Sequence, residues 1–144
     1  MRRDTRLARL LHILIHMHLR GGRTTSETIA LMLHTNPVVV RRTMARLRDH
    51  GYVSSEGGHG GGWNLRRKLE TITVLDVHRA LGAPALLAIE VAKDHPSCPV
   101  ETAVNSHLEK GLEEAEKLLL QRFGHLSLAD IAADVARRKS ARRS

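Results

Sequence analysis

The sequence predicts a mainly α-helical chain with one small β-hairpin and a long helix near its C-terminal end. Three observations point there. Aromatic residues are only 2% of the 144 positions while apolar residues are 42%, so Leu, Ile, Val and Ala must build the core, and that favours helices over sheets. Residues 24–65 run as short helix, turn, basic helix and glycine-rich hairpin. Residues 100–123 carry an apolar seam at three-and-four spacing, the mark of an amphipathic helix. Together these describe a winged helix-turn-helix domain with an appended long helix.

Charge is divided along the chain. The net charge is +8, and residues 1–70 hold 13 Lys/Arg against 5 Asp/Glu. Residues 71–136 reverse this, with 5 against 10, and residues 137–144 add 5 basic groups and no acidic one. A basic half points to a polyanion such as nucleic acid. The single cysteine, Cys98, permits no disulfide within one chain, which fits a reducing cytoplasm. No apolar run approaches the ~20 residues of a membrane span, so no membrane partner is expected. Paired carboxylates, a nucleophile–base set and a phosphate-binding loop are all missing, and no enzymatic activity is expected.

The first helix is predicted over 4–19, with Leu7, Leu10, Leu11, Leu14, Ile15 and His18 on its inner face. Asp4 favours its start and Gly21-Gly22 end it. His12 and His16 lie four apart and share a face. No third ligand follows nearby, so no metal site is expected. Thr25-Ser26-Glu27 opens a second helix with Ile29, Ala30 and Leu33 inward. His34-Thr35-Asn36 is the turn. Asn36 serves as N-cap, and Pro37 suits the first helical position because its missing N–H would be unbonded there anyway.

Residues 37–50 form the basic helix. Val40, Met44 and Leu47 have core spacing, which leaves Val38, Val39, Arg41, Arg42, Ala45, Arg46 and Arg48 outside. In a helix-turn-helix the start of this helix enters the major groove. Arg41 and Arg42 can then bond guanine or phosphate, and Val38 and Val39 can touch thymine methyls. Gly51 ends the helix. Tyr52-Val53-Ser54 and Trp63-Asn64-Leu65 read as short strands around a tip holding five of the eleven glycines. That tip, with His59 and Gly60, suits a wing that approaches DNA closely. Arg66, Arg67 and Lys68 follow and can reach phosphate. The expected DNA contacts are therefore Thr35, Asn36, Pro37, Val38, Val39, Arg41, Arg42, Arg46, Arg48, His59, Gly60 and Arg66.

At these residues the chain resembles the winged-helix regulator family that includes IscR, NsrR and CymR, the Rrf-two type. The resemblance lies in Glu27-Thr28-Ile29-Ala30, Asn36-Pro37, Val40-Arg41-Arg42, Ala45-Arg46-Leu47-Arg48, His50-Gly51-Tyr52-Val53 and Gly61-Gly62-Trp63-Asn64-Leu65. It continues past the wing over nearly the whole chain. It implies a transcriptional regulator that pairs with itself. Several relatives hold an iron–sulfur cluster on three cysteines ahead of the dimer helix. Here that region has Cys98 alone, so the cluster is not carried over and no cofactor is expected. Cys98 is a candidate sensor thiol, with His95 nearby and the following helix dipole beside it.

Beyond the wing, Thr71 or Thr73 caps a helix carrying Val74, Leu75, Val77, His78 and Leu81, which Gly82-Ala83-Pro84 ends. Residues 85–92 read as a short helix or a strand, and 93–99 as a loop. The long helix presents Val104, Leu108, Leu112, Ala115 and Leu119 as a seam for a second copy of the chain. Ser127 opens a final helix through Ala136, and the basic end is expected to be disordered. The expected division is 1–82 for the DNA-binding domain, 83–136 for sensor loop and dimerisation helices, and 137–144 for the tail. The expected function is a homodimeric repressor of double-stranded DNA, cytoplasmic and responsive to a redox or other small signal. The alternative is an interaction module that docks a partner protein through the acidic long helix.

Overall fold

The computed structural model describes residues 4–57 and 61–143. The first helix, α1 (Arg6–Arg20), buries Leu10, Ile13, Leu14 and Met17. These recur at three and four residues, so one stripe backs the whole domain. His18 does not join them and is exposed. Ile13 and Met17 centre the stripe on the opposite side of Leu14, which leaves His18 at its rim.

The second helix, α2 (Ser26–Leu33), starts at Thr25, whose hydroxyl accepts the Thr28 N–H at 3.1 Å. It ends at His34 in the left-handed region, φ 53°. The Thr35 N–H bonds back to the Ala30 carbonyl at 3.0 Å. That turn reverses the chain into α3 (Pro37–Asp49). Asn36 Oδ1 accepts the Val39 N–H at 3.0 Å, and Pro37 occupies the first turn. Val40, Met44 and Leu47 are fully buried, as their spacing predicts. Gly51, φ 80°, closes α3. The Tyr52 N–H reaches the Leu47 carbonyl at 3.0 Å and the Gly51 N–H reaches Arg48 at 2.9 Å, a Schellman stop.

The wing is an antiparallel pair, β1 (Val53–Glu56) and β2 (Gly62–Leu65), in register from Val53 opposite Leu65 to Glu56 opposite Gly62. A 3-10 turn at Leu69–Thr71 leads to α4 (Val74–Ala80). Thr73 and Asp76 form a capping box there: each side chain accepts the other's backbone N–H, at 2.9 and 3.0 Å. The long helix is α5 (Pro99–Gly124), and α6 (Leu128–Arg143) follows it. Ser127 and Asp130 make a second capping box, at 3.0 and 3.1 Å.

The two boxes sit side by side. The Val74 N–H bonds the Leu126 carbonyl at 2.9 Å, and the Leu128 N–H bonds the Ile72 carbonyl at 2.8 Å. Leu128 is thereby driven into the same core as Ile72, Leu10 and Met44. Among the described residues no helix is long and apolar enough to cross a membrane.

Two expectations beyond the wing are corrected. Residues 85–92 form neither helix nor strand. Gly82 and Ala83 both have positive φ, 91° and 49°, so the chain leaves α4 abruptly. Among the described residues the only ladder is β1 with β2, and the Ala92 carbonyl is taken by the Asn105 side chain at 2.7 Å. The basic end is also not disordered through Arg143, because α6 continues to that residue. Asp134 accepts from Arg137 at 3.4 Å and Arg138 at 3.0 Å, one helical turn on, and Ala, Arg and Lys are good helix formers.

His78 lies buried in α4. Burial pushes its pKa down, against the opposing pull of Glu116 and Asp4. The folded chain therefore holds the neutral ring while the unfolded chain takes up a proton near its ordinary pKa of about 6.5. Stability is full above that value and is lost as pH falls through it toward the lower folded pKa. Thermal melts between about pH 7.5 and about pH 5.5 should show a smaller drop in His78→Leu than in the native chain.

Candidate nucleic-acid interface

The buried face of α3 determines its outer face. With Val40, Met44 and Leu47 in the core, Val38, Arg41, Arg42 and Arg48 stand exposed, and Ala45 is half-buried. Val38 and Val39 are among the exposed large apolar side chains, at the start of the same face. Thr35 is half-buried in the turn, Asn36 is exposed, and Pro37 is half-buried. Among the described residues neither Arg41 nor Arg42 is paired with a carboxylate.

The wing is locked beside this face. Trp63 is buried, and its Nε1 donates to Ser26 Oγ at 3.0 Å. Thr24 and Trp63 exchange both backbone bonds, at 2.9 and 2.8 Å, a single antiparallel bridge that ties the hairpin to the stretch ahead of α2. Glu56 accepts from Arg23 at 3.0 Å and from Asn64 at 3.2 Å, which pins the outer edge. A groove of about 420 Å³ results, lined by Ser26 and Glu27 of α2, Arg41 and Arg48 of α3, and Ser55 and Gly62 of the wing. On the other side of the hairpin, Arg48, Arg66 and Arg67 line a second groove with Ser54 and Ser55. The Arg67 guanidinium lies over the Tyr52 ring, 5.2 Å from its centroid, and burial raises the Tyr52 hydroxyl pKa. Arg66 is exposed, with its N–H held by the Tyr52 carbonyl at 3.0 Å.

Arg41 and Arg48 thus line the groove on one side of the wing and Arg48 and Arg66 the groove on the other, while Arg42 is exposed on α3. Arg46 is exposed as well, but one of its donors is used within the chain: Nη1 donates to the Leu81 carbonyl beyond α4, at 3.0 Å. His59 and Gly60 lie outside the described residues. Ser26 and Glu27 were not singled out from the sequence as part of this face. Their signal was only that an N-terminal helix turn precedes the recognition helix.

Residues 3–134 match the Rrf2 family, described as iron-dependent transcriptional regulators. The chain belongs to that family. It is 30% identical over 128 residues to YwnA, of HTH-type transcriptional-regulator designation, from Bacillus subtilis (strain 168), covering 89% of this chain and 95% of that one. Its fold matches a Lactobacillus plantarum protein assigned as a transcriptional regulator, with TM-score 0.77 at 20% identity over 92% and 90% of the two chains. It also matches T. potens IscR, with TM-score 0.66 at 20% identity over 94% and 88%. This Rrf2 chain is a DNA-binding transcriptional regulator.

The family's iron does not fit the donors present. Cys98 is the one thiol of the chain, and a cluster needs several. Among the described residues no three His, Cys, Asp or Glu side chains converge on one point. His12 and His16 do approach, with ring centroids 4.6 Å apart, but two imidazoles alone do not make a closed site. Cys98 caps α5, half-buried, with its N–H on the His95 carbonyl at 3.0 Å.

The expected seam of α5 is divided by the structure. Val104 and Leu108 are 50% and 44% exposed, and Ala115 is exposed as well. Leu112 and Leu119 are half-buried, and Leu112 faces the 85–93 segment of its own chain. The open stripe instead runs through Val100 and Leu118, 70% and 68% exposed. Gly111 lies on it, beside open space. The sequence signal for this shift is spacing by seven, 104–111–118 and 108–115, the repeat of a paired helix.

Gly62 shows how tightly the wing is set. A Cβ there would lie 2.6 Å from the Thr24 carbonyl oxygen and 3.0 Å from Arg23 Cγ. Gly62→Ala should cost about 1–3 kcal/mol through overpacking. Trp63 is the only tryptophan, so the same variant should red-shift the fluorescence as the ring leaves its pocket. An unshifted spectrum and an unchanged melting temperature would show that the wing is not held this way.

Proposed function

We propose that this chain works as a homodimeric repressor whose two α3 helices enter successive major grooves of a roughly palindromic site, about 34 Å apart. The observation that carries the reading is the outer face of α3. Its first turns present Val38, Arg41 and Arg42, with both guanidiniums unpaired among the described residues. Thr35, Asn36 and Pro37 position that end, and Val39 flanks it. Arg48 and Arg66 flank the wing and supply phosphate contacts, which set affinity and its salt dependence. Arg46 is left out of the contact set because its guanidinium is engaged with Leu81.

Pairing is assigned to the open stripe of α5, through Val104, Leu108, Gly111, Ala115 and Leu118, with Leu119 at its edge. The support is exposure: large aliphatic side chains on one helix face are open to solvent along most of its length. Small Gly111 and Ala115 would let the two helices approach closely.

Two measurements check this reading. Arg41→Ala and Arg42→Ala should each weaken binding to DNA selected from a random pool by about 1–3 kcal/mol if they read a base, or lower the salt slope by about 0.9 if they hold phosphate. Binding that ignores both substitutions would remove α3 from the interface. Leu108→Glu should convert the dimer to monomer in sedimentation at micromolar concentration. A dimer that survives it would place the interface elsewhere. A dimer with no salt-dependent DNA affinity would favour the protein-docking alternative.

A further inference from the structure

Arg46 lies on the flank of α3 away from the wing, while Arg41 and Arg48 line the wing side. Its Nη1 donates to the Leu81 carbonyl at 3.0 Å, across 35 positions of sequence. Leu81 caps α4, and its carbonyl has no onward helical partner because the chain leaves the helix at this point. The next two residues turn sharply: Gly82 and Ala83 have φ 91° and 49°, and their N–H groups bond back to Arg79 and His78 at 2.9 and 3.1 Å. A guanidinium at a helix C-terminus meets the negative end of the dipole and makes a charge-assisted bond.

The far end of the same connector is also gripped. Asn105 donates to the Ala92 carbonyl at 2.7 Å. The Asp94 and His95 N–H groups donate to the two Glu101 oxygens at 3.0 and 2.8 Å. The segment from Gly82 to His95 is therefore tied at one end to the recognition helix and at the other to the first turns of α5.

We propose that Arg46 is a positioning residue: it sets the tilt of α3 against the turn where the connector to α5 begins, and it does not contact DNA. The inference rests on the placement of α3 in the major groove proposed above.

The test is a double-mutant cycle on the full chain, with DNA affinity measured across salt concentrations. The substitutions are Arg46→Ala, Gly82→Ala, their combination, and Arg46→Lys. Gly82→Ala strains the turn that presents the Leu81 carbonyl, because its φ disfavours a side chain. Each single substitution should weaken binding roughly tenfold, with the salt slope unchanged. The double variant should be no weaker than the worse single, since both remove one tie. Arg46→Lys, which keeps a donor of similar reach, should recover most of the loss. A slope reduced by about 0.9 with additive losses would make Arg46 a phosphate contact and overturn the proposal. So would unchanged affinity in Arg46→Ala, or a loss confined to melting temperature. If Arg41→Ala and Arg42→Ala leave binding intact, the placement of α3 fails first. The tie is then judged by thermal unfolding alone, where additive losses would overturn it.

Discussion

The exchange of backbone bonds between the stretch ahead of α4 and the stretch ahead of α6 governs the architecture. Ile72 and Leu128 share one bond, Val74 and Leu126 the other. Each stretch ends in its own capping box, so two helix N-termini start from one short bridge. This brings Leu128 to a fully buried position among residues of α1 and α3. It also fixes where α5 must finish, because Gly124 comes into contact with Leu75; a Cβ added there would sit 3.3 Å from its methyl. The long helix is thus anchored at its C-terminal end. Its N-terminal half, with Val100, Val104 and Leu108, extends with that face uncovered.

A second constraint acts at the wing. Trp63 is held from three directions: by Ser26 at its indole, by Thr24 along its backbone, and by burial of its ring. Since Ser26 opens α2 and Thr24 precedes it, the hairpin and the helix-turn-helix move as one body. The cost is visible at Thr24, whose buried hydroxyl lacks a hydrogen-bond partner among the described residues. Rigid placement of the wing beside α3 fixes the two grooves that flank it, with Arg41 and Arg48 in one and Arg48 and Arg66 in the other. The face is built on a packed scaffold, and that is what a reader of fixed groove geometry requires.

Most of the local structure was legible because local rules were strong. Asn36-Pro37 marked the start of α3, Gly51 its stop, and Val40, Met44 and Leu47 its buried face. Local pattern and long-range packing part company at particular residues. His18 matched the helical period yet sits at the edge of the stripe, because Ile13 and Met17 pack better. Residues 85–92 are apolar enough for a strand but have no ladder to join. Leu112 and Leu119 share the helical period of Val104 and Leu108 but are half-buried, and Leu112 faces the 85–93 segment of its own chain. Arg46 looked like one more arginine on a basic helix until the Leu81 carbonyl was found beside it.

By itself the sequence determined the order of elements, the identity of the recognition helix and the division of charge. Each follows from spacing, capping and composition within a few turns of chain. Only the tertiary structure decided which arginines face outward together, which leucines of α5 stay uncovered, and that the C-terminal helix returns to the core. Those depend on contacts between residues many positions apart, such as Arg46 with Leu81 and Leu128 with Ile72, and no local period encodes a partner at that distance.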